Sequence, residues 1–143
     1  MLSKKTKYGL KALTFIARSK GDLPVQVGEI AKGENIPQKF LESILLTLRK
    51  SGILGSKKGK NGGYYLRKQP SEILMTEVMR VLEGPIAMIP CVSLNFYERC
   101  DDCPDEALCS VNKLMAQVRD STLEVFRNTT LEDLAVVDLA HLN

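Results

Sequence analysis

The stretch from residue 27 to residue 68 constrains the fold more than any other. Leu41, Ile44, Leu45 and Leu48 recur at i, i+3, i+4 and i+7, which places four apolar side chains on one face of a helix. Pro37 stands where the first turn of that helix tolerates a missing N–H, and Gly52 stands at its stop. Ahead of it, Val27, Ile30 and Ala31 predict a short helix over residues 27–32. Gly33-Glu34-Asn35 then forms a tight turn, with Gly33 as the left-handed stop. Behind it, Ile53 to Lys58 and Tyr64 to Lys68 are β-prone arms flanking Gly59-Lys60-Asn61-Gly62-Gly63, the pattern of a hairpin. No Gly-Lys-Ser/Thr and no new helix follow these glycines, which sets a nucleotide-phosphate loop well behind. A short helix, a tight turn, a longer helix and a basic hairpin predict a winged helix-turn-helix.

The flanking segments are mainly helical. Residues 3–19 carry Tyr8, Ala12, Leu13, Phe15 and Ile16 on an apolar face, with Gly21-Asp22 as the stop. Leu23-Pro24-Val25 is extended, and Pro24 is compatible only with an edge position. Met75, Val78, Met79 and Leu82 predict a helix that ends at Gly84-Pro85, the methionines serving as core filler. A longer helix is expected over residues 106–127. There Val111, Met115, Val118, Thr122 and Val125 alternate in steps of four and three, and Leu108, Leu114 and Phe126 widen the apolar surface. Such a helix, apolar on more than one stripe in so small a chain, is expected to pack against a second copy. The last element starts at Thr130 in a capping box with Asp133 and carries Leu131, Leu134 and Val137. Asn128-Thr129-Thr130 matches a glycosylation sequon that a chain without a secretory route does not use.

Charge divides the chain. Residues 1–68 hold 15 Lys/Arg against four acids, whereas residues 69–143 hold five Lys/Arg against 13 acids. The net charge of +3 therefore joins a basic half, suited to a polyanion, to an acidic half with another task. With the proposed second helix of the motif in a major groove, Gln38, Lys39, Glu42 and Ser43 near its N-terminus are the candidates for base reading. Arg49 and Lys50 fall at the phosphate end, and Lys58 and Lys60 on the wing reach phosphates or a minor groove. No 18-residue apolar run exists and no secretory h-region precedes Lys11 and Arg18, so the expected location is the cytoplasm, away from membranes. No His/Asp/Ser constellation suggests an enzyme, since the single histidine, His141, lies in the tail.

All four cysteines fall between Cys91 and Cys109, with eight, two and five residues between successive ones. Reduced cytoplasmic thiols so gathered hold a metal or cluster more often than a structural disulfide. Cys100-x2-Cys103 suits zinc or iron–sulfur, but Cys91-x8-Cys100 is too long for a zinc knuckle. Asp101, Asp102, Asp105 and Glu106 oppose further thiolate charge unless iron neutralises it. Spacing thus ranks an iron–sulfur cluster first, zinc second and a redox-active disulfide third.

Taken together, several segments resemble the IscR/NsrR/CymR-type bacterial transcription regulators, the Rrf-two family, nearly end to end. They are Tyr8-Gly9-Leu10, Ile36-Pro37-Gln38-Lys39-Phe40-Leu41-Glu42, Leu48-Arg49-Lys50-Ser51-Gly52, Gly59-Lys60-Asn61-Gly62-Gly63-Tyr64, Glu77-Val78, Glu83-Gly84, the cysteine loop and Thr130-Leu131-Glu132-Asp133-Leu134. The resemblance implies a homodimer on palindromic double-stranded DNA, with a long domain-crossing helix. It also implies an iron–sulfur cluster, 2Fe-2S in preference to 4Fe-4S, held by Cys91, Cys103 and Cys109. Glu42 matches a base-discriminating glutamate and Lys58 a basic wing residue. Some members take a fourth ligand from a histidine three residues after the last cysteine, where this chain has Asn112. Others use an acid in the partner's first helix, yet no acid precedes Asp22 here; Cys100 is left as the candidate fourth ligand.

The expected organisation is a mainly α protein: a winged-helix DNA-binding domain over 1–84, a cysteine-rich sensor loop over 85–109, and a dimerisation helix with a C-terminal helix over 110–143. The expected function is DNA-binding regulation set by the cluster. Two alternatives are the same fold with a thiol switch or zinc site, and an iron–sulfur electron carrier or cluster-delivery protein.

Overall fold

The computed structural model describes residues 2–19 and 23–140, the last four as backbone alone. The expected stop at Gly21-Asp22, the side chain of Val137 and His141 lie outside the described residues. Six α-helices and one hairpin follow one another: α1 Lys4–Arg18, α2 Val27–Glu34, α3 Gln38–Lys50, β1 Leu54–Lys57, β2 Gly63–Leu66, α4 Met75–Leu82, α5 Ser110–Arg127 and α6 Leu131–Ala140. Short 3₁₀ turns lie at Pro70–Glu72, Pro90–Val92 and Glu106–Leu108.

The apolar register of α3 works as its spacing predicts. Leu41, Ile44, Leu45 and Leu48 are each fully buried, against Leu13 of α1 and Ile30 of α2 in one core. Pro37 is the N-cap, and its carbonyl accepts from the Leu41 N–H at 3.0 Å. The turn between α2 and α3 differs from expectation in one detail. The left-handed residue is Asn35, with φ 53°, and α2 continues through Gly33 to Glu34. Gly33 is needed for a different reason: a Cβ there would lie 2.4 Å from Cε2 of Phe15, so its absence lets α1 and α2 approach.

β1 and β2 pair antiparallel from Leu54↔Leu66 to Lys57↔Gly63. Val25 adds a third, one-residue rung, exchanging N–H···O bonds of 2.8 Å with Tyr64, and Pro24 stands just outside it. Gln26 then caps α2 in a reciprocal box with Glu29. The wing is thereby fixed to the helix-turn-helix rather than extending from it alone.

α4 closes the core with Met75, Val78, Met79 and Leu82. Glu83 at its end reaches back to the start of α1, where its Oε2 accepts from the Ser3 N–H at 3.3 Å, the Ser3 hydroxyl at 2.9 Å and the Thr6 hydroxyl. Gly84 follows with φ 99° and turns the chain toward the cysteine loop.

α5 begins at Ser110, four residues later than its apolar pattern suggests, because residues 106–108 form a separate 3₁₀ turn and Cys109 is the cap. It buries only Leu123, while Val111 and Leu114 stay 54% exposed and Val125 61%. α6 returns to the core built by α1–α4. Thr130 and Asp133 form the expected capping box, Leu131 is fully buried, and α6 packs against α1. A bridge at Leu74↔Thr130, with Met75 N–H to Thr129 O and Leu131 N–H to Ile73 O both at 2.9 Å, joins the starts of α4 and α6. Among the described residues no helix is long and apolar enough to cross a membrane.

Candidate nucleic-acid interface and cysteine site

α3 turns its polar side outward, and Gln38, Lys39, Glu42, Ser43, Arg49 and Lys50 are all exposed. Gln38 Nε2 donates to Glu42 Oε1 at 3.2 Å, so two of the four base-reading candidates start as a pair one turn apart. Ser43 is partly committed: its hydroxyl donates to the Phe40 carbonyl at 2.8 Å. Phe40 meets Tyr8 edge-on, with ring centres 5.5 Å apart, which fixes the N-terminal end of α3 on α1. At the other end Arg49 Nη1 donates to Ser56 Oγ of β1 at 3.3 Å, coupling the helix to the wing.

Lys58 and Lys60 are exposed on the turn of the wing. Gly59 and Gly63 have φ of 104° and 147°, a backbone that side-chain-bearing residues avoid. The turn is anchored by Gln26 Nε2, which donates to the Lys60 carbonyl at 3.3 Å. Sequence reading passed over Tyr65 and Arg67, which line one cleft with Arg49 and Lys58. The period-two alternation of a strand could have found them, since it sends residues 65 and 67 to the same face.

The cysteines occupy different settings. Cys91 is 9% exposed in the 3₁₀ turn Pro90–Val92, Cys103 and Cys109 are half-buried, and Cys100 is exposed; all four are free thiols. Cys109 caps α5, its Sγ accepting from the Asn112 N–H at 3.4 Å. The Asn112 side-chain amide donates to Cys91 Sγ, also at 3.4 Å. Arg119, two turns further along the same face of α5, donates to the Val92 carbonyl at 2.7 Å. The exposed part of the loop is held by Arg99, which donates to the carbonyls of Cys103 and Pro104 at 3.1 and 3.2 Å, and by the Tyr97 hydroxyl on Glu106.

The thiols sense one another. A hydrogen bond with Cys91, and then the charge of Cys91, push the Cys100 thiol above its ordinary pKa. Cys103 is raised first by burial, then by Cys109 and Glu106. Both shifts favour neutral thiols, through the hydrogen bond at Cys100 and burial at Cys103, with nearby negative charge adding to each. Among the described residues, no set of three or more Cys, His, Asp or Glu side chains is arranged to hold a metal ion. The structure thus brings Cys91 toward Cys100, and Cys91 and Cys109 onto Asn112, without closing the four into one coordination sphere.

A helix-turn-helix with an outward polar face, locked to a basic wing, defines a winged-helix DNA-binding protein. Residues 2–136 match the Rrf2 family, described as iron-dependent transcriptional regulators, and the chain belongs to that family. An rrf2-like HTH-type regulator of Rhodobacter capsulatus is 44% identical over 137 residues, covering 94% of this chain and 91% of its own. CymR of Bacillus subtilis is 34% identical over 134 residues, 94% of this chain and 88% of its own. The structure of that CymR, titled the global cysteine regulator, superposes with a TM-score of 0.78 and covers 96% of this chain and 97% of the other. T. potens IscR is 27% identical, with a TM-score of 0.73 over 94% of this chain and 85% of its own. The family is one of transcription regulators, and it offers no support for the electron-carrier alternative.

Proposed function

We propose that this regulator binds a palindromic promoter site as a homodimer, and that an iron–sulfur cluster sets its affinity. Cys91, Cys103 and Cys109 hold the cluster and Cys100 supplies the fourth ligand. Residues 1–84 read DNA, residues 85–109 sense, and residues 110–143 supply the dimer helix and the helix that returns to α1. The observation that carries this is the position of Asn112. It stands where some family members have a ligating histidine, yet here its two N–H groups point at sulfurs of Cys91 and Cys109. N–H donors to ligating thiolates are the supporting contacts that such sites require. The donor set also fits chemically, since four thiols gathered in an acidic loop would ligate as thiolates whose charge a metal centre neutralises. When bound, a cluster supplies one-electron chemistry and reactivity toward oxygen and nitric oxide.

The chain's own residues convert the state of the loop into geometry. Asn112 and Arg119 join Cys91, Val92 and Cys109 to the first turn and the middle of α5. α5 carries the apolar stripe Val111, Leu114, Val125, which lacks a cover within one chain and suits a second copy. The tilt of α5 then sets the separation of the two α3 helices, which must be about 34 Å for successive major grooves. Gln38 and Glu42 would exchange their mutual hydrogen bond for base edges beside Lys39 and Ser43, while Arg49, Lys50, Lys58 and Lys60 position the backbone. Anaerobically purified protein should show visible charge-transfer absorption with iron and acid-labile sulfide; a colourless protein free of both refutes the cluster.

A second reading, a thiol switch without a cluster, draws on the influence of Cys91 on the Cys100 thiol and on the similarity to CymR. Native mass spectrometry separates the two: iron plus sulfide supports the first, and a metal-free dimer that gains a disulfide on oxidation supports the second.

A further inference from the structure

Beside the reading helix, on the outer face of the wing, lies an open cleft of about 410 Å³ lined by Arg49, Leu54, Gly55, Ser56, Lys58, Tyr65 and Arg67. Three cationic side chains from three different segments converge on it, and no carboxylate lines it. None of the three belongs to an ion pair among the described residues, whereas the next residue, Lys68, is engaged with Glu77 at 3.7 Å. The helix dipole accounts for cations at the end of α3, where Arg49 sits. It does not account for Lys58 and Arg67, which arrive from the hairpin.

The cleft has a built floor. Gly55 pairs with Tyr65 across the hairpin, and a Cβ on Gly55 would lie 2.4 Å from Tyr65 Cζ and 2.6 Å from its hydroxyl oxygen. The Tyr65 ring therefore lies across position 55, with its hydroxyl over the strand. One Nη1 of Arg49 is tied to Ser56 at 3.3 Å, which leaves the other donors of its guanidinium for a ligand.

We propose that this cleft is a phosphodiester notch, in which Arg67 and Arg49 grip one backbone phosphate of the bound duplex above the Tyr65 floor. The inference rests on the DNA-binding reading and assigns Arg67 as a contact within it. Two guanidinium forks and an ammonium around an open, carboxylate-free cleft match the planar, two-oxygen recognition of a phosphate. Base reading is excluded by position, because the cleft flanks the C-terminal end of α3 while base edges meet the N-terminal end. The notch therefore contributes affinity and register without sequence preference.

The experiment compares wild type, Arg67→Ala and Arg67→Lys on a duplex selected in vitro from random sequence and on a scrambled duplex of equal length, by fluorescence anisotropy over a salt series. Each phosphate contact adds about 0.9 to the slope of log K against log salt. Arg67→Ala should lower the slope by about one per half-site and weaken both duplexes alike. Raising salt from about 50 to about 200 mM should then cost wild type about 3.5-fold more per half-site than the variant. Arg67→Lys should retain the slope. Neutral methylphosphonate groups, scanned along the flanking backbone, should abolish the difference between wild type and Arg67→Ala at one position per half-site. An Arg67→Ala protein with native circular dichroism and the wild-type slope, or methylphosphonate effects that stay additive everywhere, overturns the notch alone. Absence of salt-dependent binding by wild type to either duplex overturns the DNA reading and the notch with it.

Discussion

Replacing Glu83 tests how the first domain is closed. Its Oε2 accepts from the Ser3 N–H, the Ser3 hydroxyl and the Thr6 hydroxyl, joining the end of α4 to the start of α1 across 80 residues of sequence. Thr6 is fully buried, so Glu83→Ala removes the carboxylate acceptor from a hydroxyl that water cannot reach. Protected hydrogen bonds to a charged group contribute about 1.5–3 kcal/mol each. Solvent reaches this carboxylate, so the three together are discounted to about 1–2 kcal/mol. Glu83→Gln keeps an acceptor without the charge and should lose about half of that. The Thr6 bond, with those of Ser3, holds the carboxyl below its ordinary pKa of 4.5 against the opposing effect of burial. A carboxyl lowered on folding stabilises above its unfolded pKa and loses that contribution as pH falls through the folded value. In urea titrations, the gap between wild type and Glu83→Gln should be constant from about pH 6 to 8 and close on acidification below about 4.5. A gap that widens in acid, or a Glu83→Ala protein within about 0.3 kcal/mol of wild type at neutral pH, refutes the reasoning.

The two glycines of α2 should respond oppositely to alanine. Gly33→Ala forces a methyl to 2.4 Å from Phe15 and should cost about 1–3 kcal/mol by thermal melting, whereas Gly28→Ala meets nothing within 4 Å and should stabilise by about 0.5 kcal/mol. Leu114→Glu combined with Val125→Glu puts charge on the exposed stripe of α5; sedimentation should report a monomer with native helicity, and an unchanged dimer would remove α5 from the interface. Cys100→Ser should lose as much iron and sulfide as Cys103→Ser, and full retention in the first variant would reject Cys100 as a ligand.

Much of the first domain was legible because local signals agreed with one another. Leu41, Ile44, Leu45 and Leu48 mark a period, Pro37 and Gly52 mark its ends, and the buried face follows. Thr130 and Asp133 name a cap that the structure contains. What escaped depends on partners distant in sequence or on residues with weak local preference. Gly33 reads as a left-handed stop until Phe15, 18 positions earlier, shows that its lack of a side chain serves packing. Asn35 takes the left-handed role because its short polar side chain tolerates that conformation. The boxes Gln26/Glu29 and Gln69/Glu72 were missed because glutamine is not a strong cap by type. The start of α5 was misplaced because the apolar pattern runs on through Leu108, while a thiol, an uncommon cap, ends the turn before it. In the cysteine loop, counting thiols picked out the segment but not its contacts. Spacing could not foretell that Asn112 would bond to two of them.

The return of α6 to α1 gives α5 a mechanical character. One end is pinned through Asn112, and the middle through Arg119, to the loop around Cys91, and the other end through the Thr130 bridge to the start of α4. An 18-residue helix is about 27 Å long. A beam of that length held at its far end tilts by about 2° for each 1 Å that its near end moves. If the loop senses as proposed, its rearrangement is expected to emerge as a rotation of this beam against α3.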